Sequence, residues 1–318
     1  VSAKLAEPMS DEEMMKVTLQ IVGLCLLSLA LSDSSGRIAH NLTLMLEETV
    51  HRIPRPLLPP LWVPTARNRR IKRALAEFDG MIYGIINERR QSGHPEQADL
   101  LDMLMGAQDE ETGEQMSDRQ LRDELVTMVS AGHEPTANTL AWTLHLLAEN
   151  PDVDGKLQEE LRRVLHGRTP TLEDHPQLTY LEAVVKESMR LLPPVWIVAR
   201  SATAADNIGG VPIEKGAMIH LSPWITQRDP RFFKDPLEFR PERFLDGSVE
   251  AQHRYAYFPF AGGPRVCIGN AFAMMEARLI LAMICTRFAP QSNGEKVEPL
   301  PMVTLRPRGG LRMKLRRR

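Results

Sequence analysis

Only three of the 318 residues are cysteine, Cys25, Cys267 and Cys285, too few for a framework of disulfides. Such a chain suits a reducing compartment, and a cytoplasmic protein is expected. Charge of neither sign is in excess, with 39 Lys and Arg against 41 Asp and Glu and a formal net charge of −2. That balance makes no case for nucleic acid as a partner. The C-terminal "RMKLRRR" is basic, yet Leu311, Met313 and Leu315 alternate with Arg312, Lys314 and Arg316, the pattern of a half-buried strand with a charged outer face. No apolar run is long enough for a membrane span. The most apolar stretch, "VTLQIVGLCLLSLAL" at 17–31, falls short of the ~20 residues needed and carries Thr18, Gln20 and Ser28. It is expected to be a buried core helix, with Cys25 as a small apolar filler. No signal peptide precedes it, and an anchor upstream of Val1 is left open. There is no internal repeat, and no stretch reads as a flavin or nicotinamide site.

What is present reads mainly as helix, in a composition (43% hydrophobic, 25% charged) ordinary for a globular protein. Residues 11–50 are expected to form two helices parted by "SDSSG". Residues 52–68, "RIPRPLLPPLWVPTARN", hold five prolines, which excludes a regular element; a loop anchored by Leu57, Leu61 and Trp62 is expected. An amphipathic helix then runs to about Arg90, and "QDEETGEQ" is a solvated loop. Ser117 and Gln120 form a capping box that opens a long helix over 117–150. Further helices cover 151–166 and 179–192. Then "NIGGVPIEKGAMIHLSP" sets short β-branched runs between turn signals, read as small antiparallel strands, and 228–257 is irregular.

The chemistry concentrates in "FPFAGGPRVCIGNAFAMMEARLIL", residues 258–281. Cys267 lies in a Gly- and Pro-rich turn that runs into a helix, on which Phe272, Met275, Leu279 and Ala282 make an apolar stripe. Exposed N–H groups and the positive end of a helix favour a thiolate there. Gly263 and Gly269 let the backbone and a flat ligand approach closely, Phe260 can shield the sulfur, and Arg265 offers a cation to a carboxylate. A lone buried cysteine would be the plainer reading, but a chance F-x-x-G-x-R-x-C-x-G is expected in roughly one such chain in ten thousand.

This stretch resembles the cysteine-ligand loop of the cytochrome P-450 family of haem–thiolate monooxygenases. The resemblance implies a mainly α, triangular fold with a small β part, a single partial domain over 1–318. Within it, 117–150 is the distal helix, 258–288 the cysteine loop with its proximal helix, and 52–68 a mobile lid over the substrate channel. It implies haem b with Cys267 as the axial ligand of iron and Arg265 on a propionate. A thiolate ligand pushes electron density onto iron and favours O–O cleavage. "SAGHEPTANTLAW" is similar to the oxygen-activation segment, in which Ala131 and Gly132 give room over the haem and Glu134 works with an alcohol to deliver protons. Pro135 stands where the family usually has Thr, so the alcohol falls to Thr136 or to an ordered water, and the helix is expected to kink. His133 is read as a surface or packing residue. Glu187 and Arg190 of "KESMR" and Arg243 of "RPERF" match the Glu–Arg–Arg network that braces the cysteine loop. Arg200 either meets the second propionate or is an ordinary strand arginine. Val195, Trp196 and Ile197 resemble the strand lining the substrate pocket, though Trp196 could equally be core.

The function so implied is insertion of one oxygen atom from O2 into an apolar small molecule. Electrons would come from NAD(P)H indirectly, through a separate ferredoxin, flavodoxin or flavin reductase, and the protein would be a monomer. The family fold also implies something over ~100 residues ahead of Val1, comprising the first helices and most of the larger sheet. Two rival readings stand beside it. One is a fragment that binds haem weakly or not at all; the other, motivated by Pro135, is a haem–thiolate enzyme that uses peroxide or rearranges its substrate.

Overall fold

A computed structural model describes residues 9–28, 35–53, 55, 57–92 and 98–318. In chain order the elements are β1 (Met9–Ser10), α1 (Asp11–Leu27), α2 (Ser35–Arg52), α3 (Ala66–Ser92), α4 (Leu100–Gly106), α5 (Asp118–Glu149), α6 (Pro151–Leu165) and α7 (Thr179–Leu191). There follow β2 (Val198–Ser201), β3 (Asp206–Ile208), β4 (Val211–Ile213), β5 (Met218–Leu221), α8 (Pro223–Thr226) and α9 (Asn270–Arg287). Last come β6 (Phe288–Gln291), β7 (Pro299–Pro301), β8 (Leu305–Pro307) and β9 (Arg312–Arg317). The fold is mainly α with a small β part. The chain forms two compact units, Glu12–Ala137 and Asn138–Arg318, the second joined by residues 9–11. Among the described residues no helix is long and apolar enough to cross a membrane.

The helical unit is built by caps and periodicity. Ser117 and Gln120 close the expected box, with Gln120 N–H donating to Ser117 Oγ at 3.3 Å and Ser117 N–H to Gln120 Oε1 at 2.9 Å. Helix α4, which sequence reasoning did not foresee, opens on a reciprocal box of Asp99 and Asp102. Arg89 holds both carboxylates and reaches Leu27 O at 3.2 Å. Leu19, Val22, Leu42, Phe78, Ile82, Ile86, Leu101, Leu121 and Leu125 form the core of this unit.

Two expectations fail here. Cys25 is exposed and Leu24 is 54% exposed, because α1 buries only the face of Met14, Thr18, Leu19, Val22, Gly23 and Leu27. A segment apolar on every side does not say which side will be covered. Of the three apolar groups expected to anchor the Pro-rich loop, Leu61 is half-buried, but Leu57 is 97% and Trp62 75% exposed. Polar side chains hold the loop instead. Buried Asn68 donates from Nδ2 to Pro60 O and Val63 O, each at 2.8 Å, and Arg52 donates to Pro59 O at 3.0 Å. Pro54 and Pro56 of that loop, and residues 32–34 of "SDSSG", lie outside the described residues.

In the mixed unit, α6, α7 and α9 pack on one another. Strand β9 pairs antiparallel with β1 and β6, and Leu311 and Met313 point inward as their alternation predicts. The pairs β2–β5, β3–β4 and β7–β8 are antiparallel hairpin-like ladders. Buried Trp142 and Asn138 of α5 tie down the β7–β8 turn, Trp142 Nε1 donating to Leu305 O and Asn138 Nδ2 to Thr304 Oγ1, both at 2.9 Å.

Candidate functional site

The loop ahead of α9 takes its shape from backbone conformations that few residues adopt. Ala261 has φ 59° and Gly263 φ 69°, and a Cβ on Gly263 would point into open space, so the φ alone selects glycine there. At Gly262 the constraint is contact: a Cβ would stand 2.6 Å from the ring of Tyr255. Backbone bonds close the turn, from Ala261 N–H to Phe258 O at 3.0 Å, Val266 N–H to Gly263 O at 3.1 Å and Cys267 N–H to Phe260 O at 3.0 Å. Gly269 then caps α9, with Ala273 N–H on its carbonyl. The result is an exposed Cys267 two residues before the helix cap, with half-buried Phe260 beside it and Arg265 exposed.

Behind the loop the chain buries three charges together. Glu187 and Arg190 are fully buried and Arg243 is 2% exposed. Glu187 Oε2 accepts from Arg190 Nε at 2.7 Å; Oε1 accepts from Arg190 Nη2 and Arg243 Nε, both at 2.9 Å, and from Arg240 N–H at 2.8 Å. The guanidinium groups spend their remaining donors on carbonyls of the irregular segment. Arg190 reaches Gln227 O and Pro236 O at 2.7 Å and Glu238 O at 3.0 Å, while Arg243 reaches Lys234 O at 3.1 Å. A segment without ladder partners is thereby satisfied by Arg190 from α7 and by Arg243 from within the segment. Two further groups that sequence reasoning missed fasten the loop to the same helix. The hydroxyl of Tyr257 donates to Lys186 O at 3.1 Å, and Phe258 N–H donates to Oε1 of Gln227 at 2.9 Å. No periodicity marks either residue.

The other candidates are held by contacts of their own. Ala131, Gly132, Glu134 and Thr136 belong to the helical unit. Helix α5 continues unbroken through Pro135. Ala131 is exposed, whereas Glu134, Thr136 and His133 are buried, and His133 Nδ1 meets Val129 O at 2.8 Å as a packing residue would. Thr136 Oγ1 donates to Gly132 O at 3.4 Å. Gly132 has a local reason of its own, since a Cβ there would come within 3.2 Å of Val22 Cγ2. In the mixed unit Arg200 is exposed on β2 and turns back to Ala199 O at 2.8 Å. Val195, Trp196 and Ile197 are half-buried, and Trp196 Nε1 donates to Met302 O at 2.9 Å.

Of the apolar stripe expected on helix α9, only Ala282 is fully covered. Phe272, Met275 and Leu279 are only half-buried, while Glu276, Arg278, Leu281, Ala282 and Cys285 are covered. Arg278 pairs with Glu182 at 2.8 Å and donates to the carbonyl groups of His175 and Leu178, while its Nε has no hydrogen-bond partner among the described residues. Glu276 has no hydrogen-bond partner for either carboxyl oxygen among the described residues. Burial pushes its carboxyl up to about 8. Between the ordinary value of 4.5 and that value the folded state keeps a proton that the unfolded state releases, so stability falls as pH rises through this window. Glu276→Gln should remove that dependence. Its advantage over the parent in urea unfolding should widen by about 2–3 kcal/mol between pH 6 and 9; a constant gap would contradict the unpaired burial.

The donor set around Cys267 fits an axially ligated, flat iron macrocycle better than a bare ion. One exposed thiol stands beside glycine backbone and a cationic Arg265, which makes no ion pair among the described residues. No group of three His, Cys, Asp or Glu residues able to hold a metal occurs among them.

Comparison with known proteins shows which family the chain belongs to. The chain is 36% identical over 307 residues to cyclooctatin synthase of Streptomyces melanosporofaciens, an alignment covering 95% of this chain and 66% of the relative. It is 43% identical over 224 residues to cytochrome P-450 4V2 of Mus musculus (69% of this chain, 42% of the relative). It is 39% identical over 243 residues to cyclooctat-9-en-7-ol 5-monooxygenase of Streptomyces melanosporofaciens (76% of this chain, 51% of the relative). The chain thus spans between 42% and 66% of the length of these relatives. The profile of the cytochrome P-450 family matches residues 10–314, and the chain belongs to that family.

Proposed function

We propose that this protein inserts one oxygen atom from O2 into an apolar small molecule, using haem b ligated by Cys267 and electrons from a separate ferredoxin, flavodoxin or flavin reductase. The observation that carries this reading is the exposed thiol of Cys267 at the start of α9, in a loop backed by the buried Glu187, Arg190 and Arg243. One relative, cyclooctat-9-en-7-ol 5-monooxygenase, is named for an unsaturated alcohol, and a largely apolar substrate of that kind is proposed here.

When bound, haem supplies the redox chemistry that activates O2. The chain's own residues have separable tasks. Cys267 presents a thiolate, favoured by the N–H groups at the start of α9. Arg265, and in the same reading Arg200, would hold the haem by offering cations to its carboxylates. Val195, Trp196 and Ile197 would contribute apolar surface to the substrate pocket. Glu134 relays protons. Thr136 donates to Gly132 O, which leaves its own oxygen free to accept a further hydrogen bond.

Adding hemin to the purified protein and recording the reduced carbonyl complex tests the reading; a strongly red-shifted Soret band is expected. Absence of any haem complex would favour the reading of a non-catalytic fragment. Thr136→Ala should lower the product formed per reductant consumed, by about the 10²–10⁴-fold weight of a positioned proton donor at most. An unchanged ratio would transfer the role to an ordered water. Pro135 also favours peroxide use or rearrangement, and faster turnover with peroxide than with O2 and an electron donor would identify such an enzyme.

A further inference from the structure

Gln227 joins the end of α7 to the start of the cysteine loop through a single side chain. It follows α8, is fully buried, and its N–H bonds back to Pro223 O at 2.9 Å. Its amide is used from both ends. Nε2 donates to Met189 O at 3.0 Å and to Arg190 O at 3.2 Å, and Oε1 accepts Phe258 N–H at 2.9 Å. Its backbone carbonyl accepts Arg190 Nη1 at 2.7 Å, so the same residue also touches the buried charge cluster.

The groups it serves have few other partners. Met189 and Arg190 lie in the last turn of α7, where carbonyls have no intrahelical donor. Phe258 N–H opens a loop outside any strand. Satisfying two acceptors and one donor from one point calls for a side-chain amide. A carboxylate has no donor, a lysine or arginine no acceptor, and a hydroxyl only one proton to give. Asparagine has the right groups on a shorter arm. From Phe258 the backbone bonds lead on: Ala261 N–H to Phe258 O, then Cys267 N–H to Phe260 O, both at 3.0 Å.

We infer that Gln227 is a positioning residue for the thiol of Cys267, fixing the first peptide of the cysteine loop against the end of α7 and so setting where the sulfur stands. The inference rests on Cys267 being the iron ligand, and its test separates the two. Gln227→Met keeps length and approximate volume and removes all three side-chain bonds. Gln158→Met is the control: Gln158 is likewise buried, and its Nε2 donates to Cys285 O at 3.1 Å, on α9 but away from the loop.

In the chain without haem, Gln227→Met should speed hydrogen exchange at the amides of Phe258, Ala261 and Cys267 by about tenfold, the weight of one net hydrogen bond. Gln158→Met should leave those amides unchanged. In the haem-loaded protein, Gln227→Met should convert part of the red-shifted carbonyl band to the shorter-wavelength band of a protonated or lost thiolate. Gln158→Met, compared at equal loss of melting temperature, should not. Equal conversion in both variants, or loop amides indifferent to Gln227→Met, would overturn the inference while leaving the ligand assignment intact. A parent protein that binds haem with no red-shifted band would instead overturn the assignment of Cys267, and this inference with it.

Discussion

Cys267→Ala is expected to abolish the red-shifted carbonyl band, while Cys25→Ala and Cys285→Ala leave it unchanged. The three thiols differ in what surrounds them. Cys267 is exposed at the entry to α9, where the first turn of a helix leaves N–H groups without intrahelical acceptors. Cys285 is fully buried on the same helix, and burial pushes its thiol up to about 12, so it stays protonated at neutral pH and has no open side from which to meet iron. Cys25 is exposed but belongs to α1, which supplies no glycine turn around it. Alanine at 267 keeps the loop bond from its own N–H to Phe260 O, so the loop should fold and the loss should be confined to the ligand. Retention of the band in Cys267→Ala would end the haem–thiolate assignment. Loss of the band in Cys285→Ala as well would point to damage in the core rather than at the ligand.

Glu187→Ala should cost ~3–5 kcal/mol, the usual penalty for breaking a buried ion pair, and leave little soluble protein. The structure gives the reason atom by atom. Glu187 accepts four hydrogen bonds, two from Arg190, one from Arg243 and one from Arg240 N–H. Removing it strands two buried guanidinium groups beside each other. Glu187→Gln should recover only part of the loss, since one carboxylate oxygen becomes an amide that donates where an acceptor is required. Urea unfolding of the two variants, with haem retention measured alongside, gives the comparison. A parent-like midpoint for Glu187→Ala would mean that carbonyl bonds alone, such as those from Arg190 to Pro236 and Glu238, suffice to hold the segment.

Much of this site is legible in the sequence because its determinants are local. A glycine at positive φ, a capping box at Ser117 and Gln120, and the alternation of Leu311 and Met313 each follow from a few adjacent residues. The long helix through Pro135 was also legible, since flanking helical turns on both sides carry the chain across the missing N–H. That Glu187 and Arg190 share a face follows from their i,i+3 spacing.

Local pattern did not reveal the contacts that depend on which surfaces meet. Spacing cannot say that Gln227 would bridge α7 and Phe258, because α8 and its flanks have no period to read. The same limit hid the exposure of Cys25, the solvent-facing Leu57 and Trp62, and the buried, unpartnered Glu276. In each case the side chain's chemistry was known from the sequence, but its fate was set by whether another part of the chain covered it. The amino-acid sequence by itself determined the long helices, the glycine turn and the identity of the candidate ligand. Tertiary packing decided which polar groups were buried, and with what partners, because desolvation and hydrogen bonding act between residues that only the folded chain brings together.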